Sequence, residues 1–92
     1  MVAATSVPLT GAAQVVAVGP ALYRGFTLRE TAGAEAVVRV WDNPSAAAGT
    51  LLDTVALPAD GSATELHDGV RAATGVYVQV VSGTVEGAIR IG

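Results

Sequence analysis

The chain of 92 residues contains no cysteine, no lysine, one histidine and only four aromatic side chains. Without cysteine there is no disulfide to staple a small fold, and without a Cys/His cluster there is no ordinary zinc site. A single histidine, His67, leaves a nucleophile–base pair with few sources; it neighbours Asp68, a pairing that general-base chemistry can use, but reads more simply as a surface residue beside a turn. No G-x-S-x-G elbow, P-loop or G-x-G-x-x-G segment is present, so an enzyme is not expected. No apolar run reaches the ~18 residues that a membrane-spanning helix needs, and no basic residue precedes the apolar N-terminal residues as a secretory signal would require. Neither a membrane nor a cofactor is an expected partner.

What is present is Ala, Val and Gly in quantity, with 11 glycines and a net charge of −3. The five cations, Arg24, Arg29, Arg39, Arg71 and Arg90, stand singly among acids rather than in a run, which argues against nucleic-acid binding. A chain of this length is one domain with a thin core, burying roughly 60–65% of the surface its unfolded form exposes. Oligomerisation or docking on a larger body is then a natural source of further burial. The acids Asp42, Asp53, Asp60 and Asp68 read as turn and solvated-face residues, and the Asp-Gly pairs do not form an EF-hand loop.

The rest of the chain is organised around residues 34–54, AEAVVRVWDNPSAAAGTLLDT. This stretch predicts a β-hairpin: a strand over 35–42, an Asn43-Pro44-Ser45 turn, a small-residue loop and a return strand over 50–57. In the first strand Ala36, Val38 and Val40 share one face, and Val37, Arg39 and Trp41 the other. Residues 45–49 are short enough for one helical turn at most. In the return strand the parity is open: Leu51, Val55 and Leu57 fall with Asp53, Leu52 and Ala56 with Thr54.

Residues 1–11 form an apolar, uncharged N-terminal arm containing Pro8, either frayed or extended so that Val7 and Leu9 lie on a neighbour. The single domain then occupies 12–92. A strand over 12–18 ends at Gly19-Pro20. Over 21–31, Leu22, Phe26 and Leu28 share a parity with Arg24 and should face the core, and Gly25 suggests a bulge or close backbone approach. Pro58-Ala59-Asp60-Gly61 is a turn, 62–67 a polar edge strand, and Asp68-Gly69 a strong type I′ hairpin signal. Strands over 75–82 and 84–91 follow, the last with the cleanest two-residue period. Seven or eight short strands with turns every 8–12 residues predict an all-β fold, a small antiparallel β-sandwich or β-barrel. The large amphipathic side chains, Tyr23, Trp41 and Tyr77, read either as interface anchors or as caps on a small core.

The segments LYRGFTLRET, VVRVWDNPSAAAGTLLDT and GVYVQVVSG together resemble small β-rich structural proteins of tailed bacteriophages. The features that carry the resemblance are Asp42-Asn43, the small-residue loop over 45–49, and Gly75-Val76-Tyr77-Val78, within a match spanning residues 21–92. The resemblance implies a head-decoration (capsid cement) protein on the outer capsid surface, often trimeric, bound between major capsid protein subunits. By analogy, the arm with Val7, Pro8 and Leu9 would take part in capsid binding, with Tyr23, Trp41 and Tyr77 as further contact residues. A tail- or fibre-associated module that recognises a host glycan or protein is the alternative.

Overall fold

The computed structural model describes residues 4–92; residues 1–3 of the expected arm lie outside the described residues. Among the described residues there are eight strands: β1 (Thr5–Pro8), β2 (Gln14–Val18), β3 (Ala21–Glu30), β4 (Ala36–Asp42), β5 (Thr50–Leu57), β6 (Ser62–Ala72), β7 (Gly75–Ser82) and β8 (Val85–Ile91). They form two four-stranded antiparallel sheets, β1-β8-β3-β6 and β2-β7-β4-β5. The fold is therefore the all-β sandwich expected, not a closed barrel. Six of the seven successive strand pairs divide between the sheets, and only β4–β5 is a hairpin within one sheet. This strand order is that of an eight-stranded jelly roll.

The core lies between the sheets. It is built from Tyr23, Phe26 and Leu28 of β3, Ala36, Val38 and Val40 of β4, Val55 and Leu57 of β5, Ala72 of β6, Val76 and Val78 of β7, and Val85 and Ile89 of β8. Small β-branched residues at every second position fill the narrow gap between two facing pleated surfaces. The Cα radius of gyration, 12.2 Å, matches the ~12.3 Å of a compact chain this long.

That value leaves no room for a trailing arm among the described residues. Thr5–Pro8, expected to be either frayed or extended onto a neighbour, is instead the edge strand of its own sheet, in register with β8 from Thr5↔Ile91 to Pro8↔Ala88. Leu9 packs against the core, and its amide donates to the Gly87 carbonyl at 2.9 Å. Val7 is half-buried. The Gln14 side chain closes the β1–β2 corner: Oε1 accepts from the Thr10 amide at 2.8 Å, and Nε2 donates to the Pro8 carbonyl at 3.1 Å. The edge position suits Pro8, which has no ladder donor to contribute.

Two further expectations are corrected. Asp68-Gly69 is not a hairpin turn; β6 runs through it. Pairing passes from Tyr23↔Val70 to Gly25↔Leu66, so residues 67–69 bulge opposite Arg24. The positive φ that the dipeptide permits (136° at Gly69) is spent on a bulge. Residues 45–49 form no helical turn either. Asn43 Oδ1 accepts from the Ser45 and Ala46 amides, both at 2.9 Å, and Nδ2 donates to the Ala48 carbonyl at 3.2 Å. A side chain that satisfies these backbone groups locally competes with helix.

Gly25 does mark the close approach expected of it. A Cβ there would lie 2.0 Å from the Glu65 carbonyl oxygen, at a φ of +125°. The same irregularity inverts the parity of β3. Tyr23 faces the core before it, Phe26 and Leu28 after it, and Leu22 turns outward at 40% exposure. A shift opposite Val40/Trp41 does likewise in β5, sending Leu52 towards the core and Leu51 outward.

Candidate interaction face

The outer surface of β2-β7-β4-β5 carries the candidate site. Register places Val15 of β2 opposite Tyr77 of β7, Tyr77 opposite Trp41 of β4, and Trp41 opposite Leu51 of β5. Four apolar or aromatic side chains thus form one row across the full width of the sheet. Val15 and Leu51, at its ends, are 42% and 44% exposed, and Trp41 and Tyr77 between them are half-buried. The next row, Gln79, Arg39 and Thr54, is polar. Beyond it Val37 and Ala56 pair, with Val81 bulged outward at 44% exposure.

Hydrogen bonds hold this surface in one arrangement. Trp41 Nε1 donates to Gln79 Oε1 at 3.0 Å, which fixes the indole across two strands. Immediately after it, the Asp42 carboxylate accepts from the Ala73 and Thr74 amides and the Thr74 hydroxyl, each at 2.9 Å. These donors, the Thr74 amide foremost, hold the Asp42 carboxyl below its ordinary range. The end of β4 is thereby tied to the β6–β7 turn, and with it the position of Trp41 beside Tyr77.

Of the residues expected to touch a partner, the fold brings Trp41 and Tyr77 together on this face. Val7, Pro8 and Leu9 belong to the edge of the other sheet. Tyr23 is fully buried, because the Gly25 irregularity turns it inward. Its hydroxyl donates to Asp53 Oδ2 at 2.8 Å, and the His67 ring meets it edge-on at 5.3 Å between centroids. Burial, then the bond to Asp53, pushes the phenol above its ordinary value. His67 is accordingly half-buried within a strand, not beside a turn. Val15 and Leu51 escape a reading of the sequence because irregular pairing, invisible in the periodicity, decides which way they point.

Among the described residues, no group of three or more His, Asp or Glu side chains converges as metal ligands would. A hollow of about 260 Å³ lies on the other sheet beside Leu22 and Arg71. No protein-family model, no curated protein and no solved structure matches this chain.

Proposed function

We propose that this chain is a non-catalytic structural module that docks on a protein assembly through the outer face of β2-β7-β4-β5, in the setting that its phage resemblance suggests: a head-decoration protein seated between major capsid protein subunits. The observation that carries the reading is the row Val15–Tyr77–Trp41–Leu51. Aromatic residues with one polar handle are enriched where protein surfaces meet. Every 100 Å² of apolar surface covered contributes about 2.5 kcal/mol before the costs of ordering and lost freedom. A rigid face limits those costs, and a repetitive shell multiplies the gain by copy number. Trimerisation of the module would add to it.

The test is to mix the purified protein with empty capsid shells after measuring its mass by light scattering. A trimer, or a monomer that loads shells at a fixed copy ratio, supports the reading. The Leu51→Glu variant should load poorly while keeping its fold. Undiminished loading by that variant removes this face from the proposal, and failure of the parent protein to load removes the capsid setting.

One observation favours a second reading. Trp41 and Tyr77 are direct cross-strand neighbours on one surface, as a sugar-stacking platform requires. A tail- or fibre-associated module would bind a host glycan there, and a glycan array separates the two readings.

A further inference from the structure

Four of the five arginines belong to one sheet: Arg24 and Arg29 lie on β3, Arg71 on β6 and Arg90 on β8. Arg39 alone stands on the other, in the middle of β4. Two acids share the strands of that sheet, and both are turned away from its outer surface. Asp42 accepts from the Ala73 and Thr74 amides of the β6–β7 turn. Asp53 is opposite the inward-facing Val40; its Oδ2 accepts from Tyr23 of the facing sheet at 2.8 Å and its Oδ1 from the Thr54 amide at 2.8 Å. Glu35 precedes β4, four residues from Arg39 and so roughly 13 Å along an extended chain. Among the described residues no acid forms an ion pair with Arg39, which is exposed. Register sets it between Gln79 and Thr54, in a polar row with an apolar row on either side. One is Val15–Tyr77–Trp41–Leu51; the other holds Val37, Ala56 and the outward Val81. The outer face of these four strands is thus apolar on two sides of one central cation.

An occupant broad enough to cover both apolar rows also covers Arg39. A guanidinium cannot shed its charge, and withdrawing it from water unpaired is strongly unfavourable. We propose that the partner surface presents one aspartate or glutamate side chain ringed by apolar residues, and that its carboxylate pairs with Arg39. This inference rests on the docking reading above and adds what the partner must carry. The planar arginine fork takes a carboxylate in a bidentate fashion, which fixes the orientation of docking as well as its position. Arg39 is then the specificity-determining residue of the face. A surface of equal apolar area without a carboxylate, or with a lysine in its place, leaves a charge buried and unpaired and is rejected. The two rows decide the class of the occupant. Val37, Val81 and Leu51 gain nothing from sugar hydroxyls, and a nucleic acid brings a charge at every phosphate where the face offers one cation. A protein surface supplies both aliphatic side chains and a single carboxylate.

The experiment is a titration of empty capsid shells with the full chain and its variants, read as the concentration at half-loading. Arg39→Met keeps the length and apolar stem of the side chain and leaves the partner's carboxylate without its cation. It should weaken loading by at least about thirtyfold. Arg39→Lys, which keeps the charge and loses the fork, should weaken loading less, and Arg39→Glu should abolish it. Arg29→Met, on the other sheet, should load as the parent does. Arg39 is exposed, so its variants are expected to keep the parent's urea midpoint; Arg39→Gln supplies the same comparison if the methionine variant self-associates. Loading by Arg39→Met equal to or tighter than the parent's, with Leu51→Glu still unable to load, overturns this inference and leaves the docking reading standing. Failure of the parent to load overturns both. A glycan array run in parallel covers the remaining case: Arg39-dependent retention of an anionic glycan, with no Arg39 dependence on shells, overturns the protein carboxylate as the occupant.

Discussion

Tyr23 and Asp53 join the two sheets of the sandwich by one hydrogen bond: the phenol leaves β3, crosses the core and donates to the carboxylate of β5 at 2.8 Å. The aromatic body is buried while its polar tip is satisfied, which is the condition under which a tyrosine belongs in a core. Replacing Tyr23 by Phe keeps the packing and leaves Asp53 without this donor. The expected loss is about 1–2 kcal/mol of unfolding free energy, measured by urea denaturation at neutral pH.

The same residue sets an alkaline limit. Its folded-state pKa is raised by burial and by Asp53, whereas in the unfolded chain a tyrosine ionises near pH ~10. Below that pH both states hold the proton and the contribution is intact. Above it the unfolded state releases the proton first, so stability falls with rising pH. Tyr23→Phe should flatten this alkaline decline in a plot of urea midpoint against pH.

Glu30 is 1% exposed, yet its carboxylate is fully engaged. It accepts from the amides of Ala32 (2.7 Å), Gly33 (2.8 Å) and Ala34 (3.1 Å) after β3, and of Asp60 (3.0 Å) before β6. The Asp60 amide above all, opposed by burial, holds the Glu30 carboxyl below its ordinary value. Its contribution is therefore present above the unfolded carboxylate value, near ~4.3, and is lost as pH falls through the lower folded value. Glu30→Gln should lower the melting temperature at neutral pH and remove part of the acid dependence. Hydrogen exchange at Ala32, Gly33, Ala34 and Asp60 should accelerate together, since one acceptor serves all four.

Gly25→Ala places a methyl group against the Glu65 carbonyl oxygen in a left-handed backbone conformation. Neither can relax without breaking the β3–β6 ladder. A loss of more than about 3 kcal/mol is expected, read as the shift in urea midpoint. A loss below 1 kcal/mol, within the range of an ordinary glycine replacement, would mean that the irregularity at Gly25 yields to a side chain.

Leu51→Glu acts at a different level. The side chain is 44% exposed and lies outside the core cluster. Its unfolding free energy should stay within about 0.5 kcal/mol of the parent, while docking through the outer face is lost. Denaturation and shell loading measured on one preparation check both halves.

The strand count, the central hairpin, the edge character of β6 and the demand for glycine at position 25 were legible in the periodicity and the turn residues. Facing was not. Leu22, Phe26 and Leu28 share a parity, yet the irregularity at Gly25 splits them and exchanges Leu22 for Tyr23 in the core. Leu51 and Leu52 trade places for the same reason. A register shift is a property of paired strands, and alternation along one strand carries no trace of it. Asp68-Gly69 misleads because the backbone freedom that makes a tight turn also makes a bulge. The candidate face was legible only as the isolated residues Trp41 and Tyr77; their meeting depends on the pairing of β4 with β7. The gathering of four arginines on one sheet is likewise a product of topology.

The pairing of β1 with β8 has one more consequence. Thr5 stands opposite Ile91, so the chain enters and leaves the sandwich at neighbouring points on one edge. A fold with adjacent entry and exit behaves as a cassette. Joined through Thr5 and Ile91, it can be spliced into a surface loop of a host protein without prising that loop apart.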